Sequence, residues 1–295
     1  MPMLYCTSCG KEMEEGARYC PHCGTPVDGT APELKVEEIN VPYPDTASAR
    51  LEIVIRSAGR VNVSGGAKDS FIEGTIEYDA PQLTPIVEAH GDRIRLVQPE
   101  RFWDSIRTNP LNRWDLRLGD GKPFSMDVNC GVSMGRWDLG GLPITSLQLE
   151  AGVSNNVITF ESPNPETLDV LRLSVGAGDV DVKGLLNSNF HRMKVEGGVG
   201  AVKLDFTGKE LDRDAIVEIG GGVGSYRIVV GEAVPARVRV GGLASVSALG
   251  GFRKMSQGGF RLGGEYTNEA YEGSQGPTLE IDIRMGVGSV TLDTR

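Results

Sequence analysis

Four of the five cysteines fall into two pairs, Cys6-Thr-Ser-Cys9 and Cys20-Pro-His-Cys23, with ten residues between the pairs. A Cys-x-x-Cys turn presents both thiolates to one side. Two such turns supply four soft donors to one tetrahedral ion, the closed sphere of a structural zinc. Gly10 and Gly24 follow the second cysteine of each pair and let the backbone turn back so that its N–H groups point at sulfur. The expected metal site is therefore Cys6, Cys9, Cys20 and Cys23, holding one structural Zn2+. A pair of disulfides is the competing use of these residues. It belongs to secreted mini-domains, and nothing here directs secretion. His22 lies between two ligands and reads as a surface residue, and Cys130 stands alone and reads as a small buried apolar one. A module of about 25 residues buries little, so the metal is expected to supply most of its folding free energy.

Other residues could do chemistry if the fold brought them together. Gly131-Val-Ser133-Met-Gly135 matches the Gly-x-Ser-x-Gly nucleophile elbow, which needs a strand-to-helix turn followed by acid and histidine partners. Of the three histidines, His22, His90 and His191, only His191 lies downstream, and a strand is expected after the motif, so no nucleophile is assigned. Asp179, Asp181 and Asp205 could serve a polysaccharide-cleaving β-helix. Asp179 and Asp181 stand two apart on the outward face of one strand, and a solvated face is the expected role. Residues 101–117 hold Arg101, Phe102, Trp103, Arg107, Arg113, Trp114 and Arg117, the composition of a recognition loop or of a loop packed on the domain flank. No catalytic set emerges. With a net charge of −10 and no basic stripe, a nucleic-acid partner is disfavoured.

The elements that must position these residues are written in glycine. The chain has 295 residues, of which 40 are Gly, 16 Pro and 18 aromatic. Glycine does not fall at every third position, which excludes collagen, and 39% hydrophobic residues are enough for a core. Short Gly-x-small motifs recur at Gly131, Gly152, Gly176, Gly198, Gly222, Gly242 and Gly286, with spacings of 21, 24, 22, 24, 20 and 44. Gly263-Gly264 falls halfway across the last gap, and Gly59 in Ser57-Ala-Gly-Arg60 is a candidate earlier copy. Apolar pairs five and three residues before each reference glycine, such as Leu147/Leu149 and Leu171/Leu173, alternate with polar residues. So do pairs after it, such as Val180/Val182 and Val202/Leu204. The middle residues of the motifs, Val132, Val153, Ala177, Val199, Val223, Leu243 and Val287, form a further apolar column. The pattern reads as strand, glycine corner, strand and return turn, stacked so that neighbouring coils share one core. At about 22 residues and about 4.8 Å per coil, residues 49–295 would give about eleven coils and a rod of about 50 Å. Leu168-x-x-Leu171-x-Leu173 also fits the opening of a leucine-rich repeat, but the second strand ladder argues against a helical return. The one-residue shift of Val238/Val240 and of Phe260/Leu262 reads as a bulge.

Two resemblances attach to these residues. Residues 4–26, with both Cys-x-x-Cys-Gly knuckles, resemble the small bacterial zinc-ribbon family found at the N-terminus of membrane or regulatory proteins. Residues 110–295 resemble the bacterial toast-rack domain, related to the LiaF-like cell-wall-active antibiotic response domain and to Gly-rich adhesins. The residues that carry this are Trp114-Asp-Leu-Arg-Leu118, Trp137-Asp-Leu-Gly-Gly-Leu-Pro143, Leu147-Gln-Leu-Glu-Ala-Gly-Val153 and Leu171-Arg-Leu-Ser-Val-Gly-Ala-Gly178. That resemblance implies a β-solenoid without established enzymology, and a link to the envelope stress response. Relatives often carry membrane helices between ribbon and solenoid, whereas no apolar run here approaches the roughly 18 residues of a span.

The expected architecture is all-β: a zinc ribbon over 1–26, an acidic Pro-rich linker over 27–48, and a single-stranded β-helix of about 22-residue coils over 49–295. The expected function is that of a non-enzymatic scaffold in the cytoplasm that works by protein contact. Its partner is unknown, and self-association is expected through the solenoid ends, because the last copy stops at Arg295 with a strand edge to offer. The alternative is a carbohydrate-binding or carbohydrate-cleaving β-helix, or a surface adhesin.

Overall fold

A computed structural model describes residues 4–6, 9–13, 20, 22, 34–98, 111–257 and 263–295. Near the N-terminus, β1 (Leu4–Tyr5) and β2 (Glu12–Met13) pair antiparallel across a turn in which the Gly10 N–H donates to the Cys6 carbonyl at 2.8 Å. The rest is all-β, with almost no helix.

Among the described residues fifteen strands form one sheet. Eight of them are long: β4 (Ala49–Gly65), β9 (Phe124–Asp138), β10 (Ile144–Thr159), β11 (Leu168–Lys183), β12 (Phe190–Phe206), β13 (Ala215–Val230), β14 (Ala236–Ala248) and β17 (Leu279–Thr294). They pair in parallel in the order β14-β17-β13-β12-β11-β10-β9-β4. Each long strand runs straight through its Gly-x-small motif, so what the sequence suggests as two strands and a corner is one continuous paired element. The apolar pairs meet rung for rung. Met126 lies opposite Leu147, Leu147 opposite Leu171, Leu171 opposite Met193 and Met193 opposite Val217, and all five are buried. Each such aliphatic side chain contributes about 1.5–3 kcal/mol by leaving water. Ser57-Ala58-Gly59 joins the same register, with Ala58 opposite Val132, after a shift that accommodates one extra residue.

Glycine is required at the motif because neighbouring backbones touch there. A Cβ on Gly152 would stand 2.6 Å from the Gly131 carbonyl oxygen, one on Gly176 2.7 Å from that of Gly152, and one on Gly286 2.6 Å from that of Gly222. No side chain fits, and the ladder of bare backbone runs the length of the stack.

Three sequence expectations change. The last strand, β17, is not an end strand: it lies between β13 and β14, paired in parallel on both sides. Edge-driven pairing through the last copy therefore has no free edge to use. The segment at Gly264 is not a stacked copy either. Strands β15 (Arg253–Gln257) and β16 (Gly264–Thr267) form an antiparallel hairpin laid on β14, where Glu265 lies opposite Arg239. The shift at Gly242 is a true irregularity, between Gly242 and Leu243, whereas Phe260 and Leu262 lie outside the described residues. Finally, Lys35–Val41, within the stretch expected as a linker, form β3, antiparallel to β5 (Ile72–Tyr78). Only Ile39 and Val41 of β3 are buried, too short a pattern to stand out among acidic residues.

At the far side of β4 the sheet changes character. Strand β7 (Arg93–Val97) takes residues 50–54 of β4 and β8 (Asn112–Leu118) takes residues 60–65, while β6 (Ile86–His90) pairs β7 and β5 and β3 continue beyond β8. Antiparallel strands thus close both ends of the parallel ladder. Phe71 packs edge-on against Phe124 at 5.3 Å to fill this end of the core.

Asparagines fasten the turns that follow β10, β11 and β13. Buried Asn164 donates to the carbonyls of Ile144 (2.7 Å) and Ser188 (3.2 Å) and accepts from the Glu166 N–H (2.9 Å). Asn187 donates to the Phe160 carbonyl and accepts from the Lys209 N–H, both at 2.9 Å. Asn268 caps the single helical turn α1 (Glu269–Glu272) and also bonds Val234 and Ala236.

Candidate functional site

The sulfurs of Cys6, Cys9 and Cys20 lie within 4.8 Å of one another, and Cys9 Sγ is 3.6 Å from Cys20 Sγ. Four thiolates around zinc at about 2.3 Å stand about 3.8 Å apart, so this spacing suits a shared ion. Several local features build the site. The β1–β2 turn carries Cys6 and Cys9, with the Cys6 N–H bonded to the Lys11 carbonyl at 2.9 Å and Gly10 at φ +69°. The second knuckle aims a backbone N–H at sulfur, His22 N–H to Cys20 Sγ at 3.4 Å, the outer contact that steadies a thiolate ligand. Cys6 and Cys20 are buried, and Cys6, Cys9 and Cys20 form no disulfide. Cys23, expected as the fourth ligand, lies outside the described residues. The donor set that is described, three sulfurs converging on one point, fits zinc. No described atom of His22 other than its backbone N–H takes part.

The elbow motif is part of the sheet. Ser133 is on β9, paired with Ser154 of β10 and Gly59 of β4, and is only 5% exposed. Its Oγ has no well-formed hydrogen bond among the described residues, only a weak interaction with the Cys130 thiol. His191 is an exposed residue of β12, three strands away in the ladder. Each glycine of the motif has a packing reason. A Cβ on Gly131 would stand 2.9 Å from the Arg56 carbonyl oxygen, and one on Gly135 would occupy the space of the Trp137 indole N–H and Asn156 Oδ1. Those two groups bond at 3.1 Å. Cys130 is buried in the same strand, and burial pushes its thiol up to about 11, as expected of an inert core residue.

The carboxylates are engaged by neighbouring groups of the sheet. Asp179 accepts from the Ala201 N–H at 3.1 Å, and its own N–H donates to Asn155 Oδ1 at 3.2 Å. Asp181 stands 3.7 Å from both Lys183 and Lys203. Asp205 is buried, accepts from the Thr207 N–H at 3.0 Å, and lies 4.0 Å from Arg295. Asp179 and Asp181 line an open depression with Asn155, Lys203, Tyr226 and Arg227. Of the Trp/Arg segment, Arg101, Phe102, Trp103 and Arg107 lie outside the described residues. Arg113, Trp114 and Arg117 belong to β8. There Trp114 is fully buried, Arg113 pairs Asp115 at 2.6 Å and Arg117 pairs Glu73 at 3.4 Å.

Sequence reading missed a buried polar seam beneath the motif. Gln98 accepts from the Ser57 hydroxyl at 2.7 Å and from Asn112 Nδ2 at 3.3 Å, and donates to the Leu83 carbonyl at 3.2 Å. Asn112 accepts from the Trp114 indole at 2.9 Å, and Asn156 donates to Ser154 Oγ at 2.9 Å. A buried indole requires an acceptor. Asn112-Arg-Trp114 offered that signal two residues apart, but Trp137 finds Asn156 on the next strand, beyond any local pattern.

Comparison with known proteins bears on these observations. A family model described as the N-terminal domain of toast_rack, DUF2154, matches residues 30–183, and one described as a zinc-ribbon domain matches residues 5–27. The first begins well before the stretch whose resemblance the sequence suggests and stops inside it. No curated protein matches in sequence. Among solved structures, a provisionally assigned cell adhesion protein from Clostridium sporogenes is 16% identical, with 89% of this chain and 100% of that one covered at a TM-score of 0.48. A provisionally assigned adhesin from Bacteroides fragilis is 10% identical, covering 89% and 98% at 0.40. A provisionally assigned lipid binding protein from Parabacteroides distasonis is 12% identical, covering 88% and 96% at 0.36.

Proposed function

The chain belongs to the toast_rack family through residues 30–183, and from that premise we propose that it is a non-enzymatic scaffold: a zinc-holding ribbon carried by a rigid β-solenoid. The observation that carries the reading is the unbroken ladder of eight parallel strands, whose tempting catalytic residues are all taken up by packing or by neighbouring strands. Each long strand together with the turn that follows it makes one coil of about 22 residues, and asparagines fasten several of those turns. In the ribbon, Cys6, Cys9, Cys20 and Cys23 hold one structural zinc, which locks two knuckles too small to fold on burial alone. The ribbon is the recruiting element and the ladder its support, in the cytoplasm, with an envelope stress response as the setting.

The test uses the full chain. Protein taken from cells should carry one zinc and reduced ribbon thiols. The Cys6→Ser/Cys9→Ser variant should lose the metal while the sheet unfolds at an unchanged temperature. A partner captured by the intact chain should be missing from the variant's capture. Metal-free native protein, or identical captures, would overturn the reading. A second reading, glycan binding, is favoured by the open depression around Asp179, Tyr226 and Arg227. It predicts a ligand in a glycan screen whose binding is abolished by Asp179→Ala.

A further inference from the structure

The column of middle motif residues, from Val132 to Leu243, is in register across seven strands, but it faces water. Its six larger members are 45–61% exposed, whereas the apolar rungs of both limbs are buried. At about 4.8 Å per strand the row is about 29 Å long. A glycine precedes every member, from Gly131 to Gly286, and a serine, glycine or alanine follows it. Glycine, serine or alanine flanks most of the row, and only at its β9 end does a tall side chain, exposed Met134, stand two residues from a column member. The nearest charged residues along the strands form a mixed rim: Glu150, Glu196 and Arg284 three positions before the column and Asp179 two positions after it, while Val132 and Val153 share a depression with Arg60, Glu77, Asp79 and Arg113.

We infer that this column is a seam on which two copies of the chain dock side by side, antiparallel, about a two-fold axis. The spacing is the reason. A row of β-branched side chains about 4.8 Å apart has gaps of matching width, so the complement of one row is a second row like it, shifted by half a step, as in dry interdigitated sheet contacts. The flanking glycines let the two backbones approach. The column itself carries no charge for a polar or charged partner to pair with, and the net charge of −10 disfavours an anionic membrane. The area sets the strength. Six half-exposed aliphatic residues and their margins offer roughly 500 Å² per chain at the area that underlies aliphatic burial energies. That is at the upper end of patches on ordinary monomers and below the roughly 800 Å² per partner of a standard interface. The dimer is therefore weak and exchanging. Because both copies are acidic, it tightens as salt screens their repulsion. This deepens the scaffold reading and replaces the strand-edge route to self-association with a side-on one.

Sedimentation of the full chain across a wide concentration range tests it. The chain should pass from monomer to dimer with rising concentration, with tighter association at higher salt. Val199→Glu/Val223→Glu should weaken association by about tenfold or more, because two unpaired charges would be buried per copy. Val199→Thr/Val223→Thr, which keeps the β-branched shape, should weaken it less. Unchanged thermal unfolding would show that both variants fold, as their exposure leads us to expect. A strict monomer would sink the seam, as would a dimer indifferent to both variants. So would a monomer that binds neutral phosphatidylcholine vesicles and loses them with the Glu variant. None of these outcomes touches zinc loading or ribbon capture, so the seam can fail while the scaffold reading stands.

Discussion

The Ser133 hydroxyl is buried between two parallel strands with no well-formed hydrogen bond among the described residues and only a weak interaction with the Cys130 thiol, so its removal should cost the fold little. Ser133→Ala is expected to leave thermal unfolding unchanged or to raise stability by up to about 1 kcal/mol, because a buried, poorly bonded polar group is lost. Gly135→Ala should behave in the opposite way. Its Cβ would displace the Trp137 indole from Asn156, leaving a buried donor unpaired at a cost of about 2–4 kcal/mol. Denaturant unfolding of the two variants separates a packing motif from a catalytic one, since a nucleophile would show the reverse order of importance in any activity. At this scale the convergence of Cys6, Cys9 and Cys20 was legible because metal ligation fixes both residue type and spacing. The setting of Ser133 was legible only through its register, and the Trp137–Asn156 bond was not legible at all, because its partners belong to different strands.

The register of the apolar rungs in β9 to β13 could be read from the chain, though not the continuity of each strand through its motif, because a parallel in-register sheet demands the same side chain class at the same place in each strand, as Leu147, Leu171 and Met193 show. The hairpin of β15 and β16 was misread for the same reason. Gly264 sat at the right distance to imitate another copy, and only pairing direction tells the two apart. The exposure of the valine column was hidden too, since alternation cannot say which side of a bend faces water. Several turns depend on asparagine rather than on apolar pattern. Asn164 serves two carbonyls and one N–H from three different segments. Asn164→Ala should therefore destabilise the chain by about 1–3 kcal/mol, measured by the denaturant midpoint, although it removes almost no apolar area.

Across the whole molecule, the strand order β13-β17-β14 departs from the chain order, and this has a consequence in time. A growing chain delivers β4 and then β9 through β13 each beside a strand already made, so the sheet can extend as synthesis proceeds. Then β14 and its hairpin leave the ribosome before the strand that must lie between them and β13 exists. They have to wait for residues 279–294, which slide into a gap with both walls already synthesised. Nascent chains stalled with residue 278 as the last one outside the tunnel should protect strands β4 and β9 to β13 from protease and leave β14 and β16 open to cleavage. Chains extended past Thr294 should protect both. Early cleavage resistance of β14 would mean that it first docks on β13 and is later displaced. Either way β17 acts as a keystone: until residues 279–294 are in place, β13 and β14 each present an unsatisfied sheet edge.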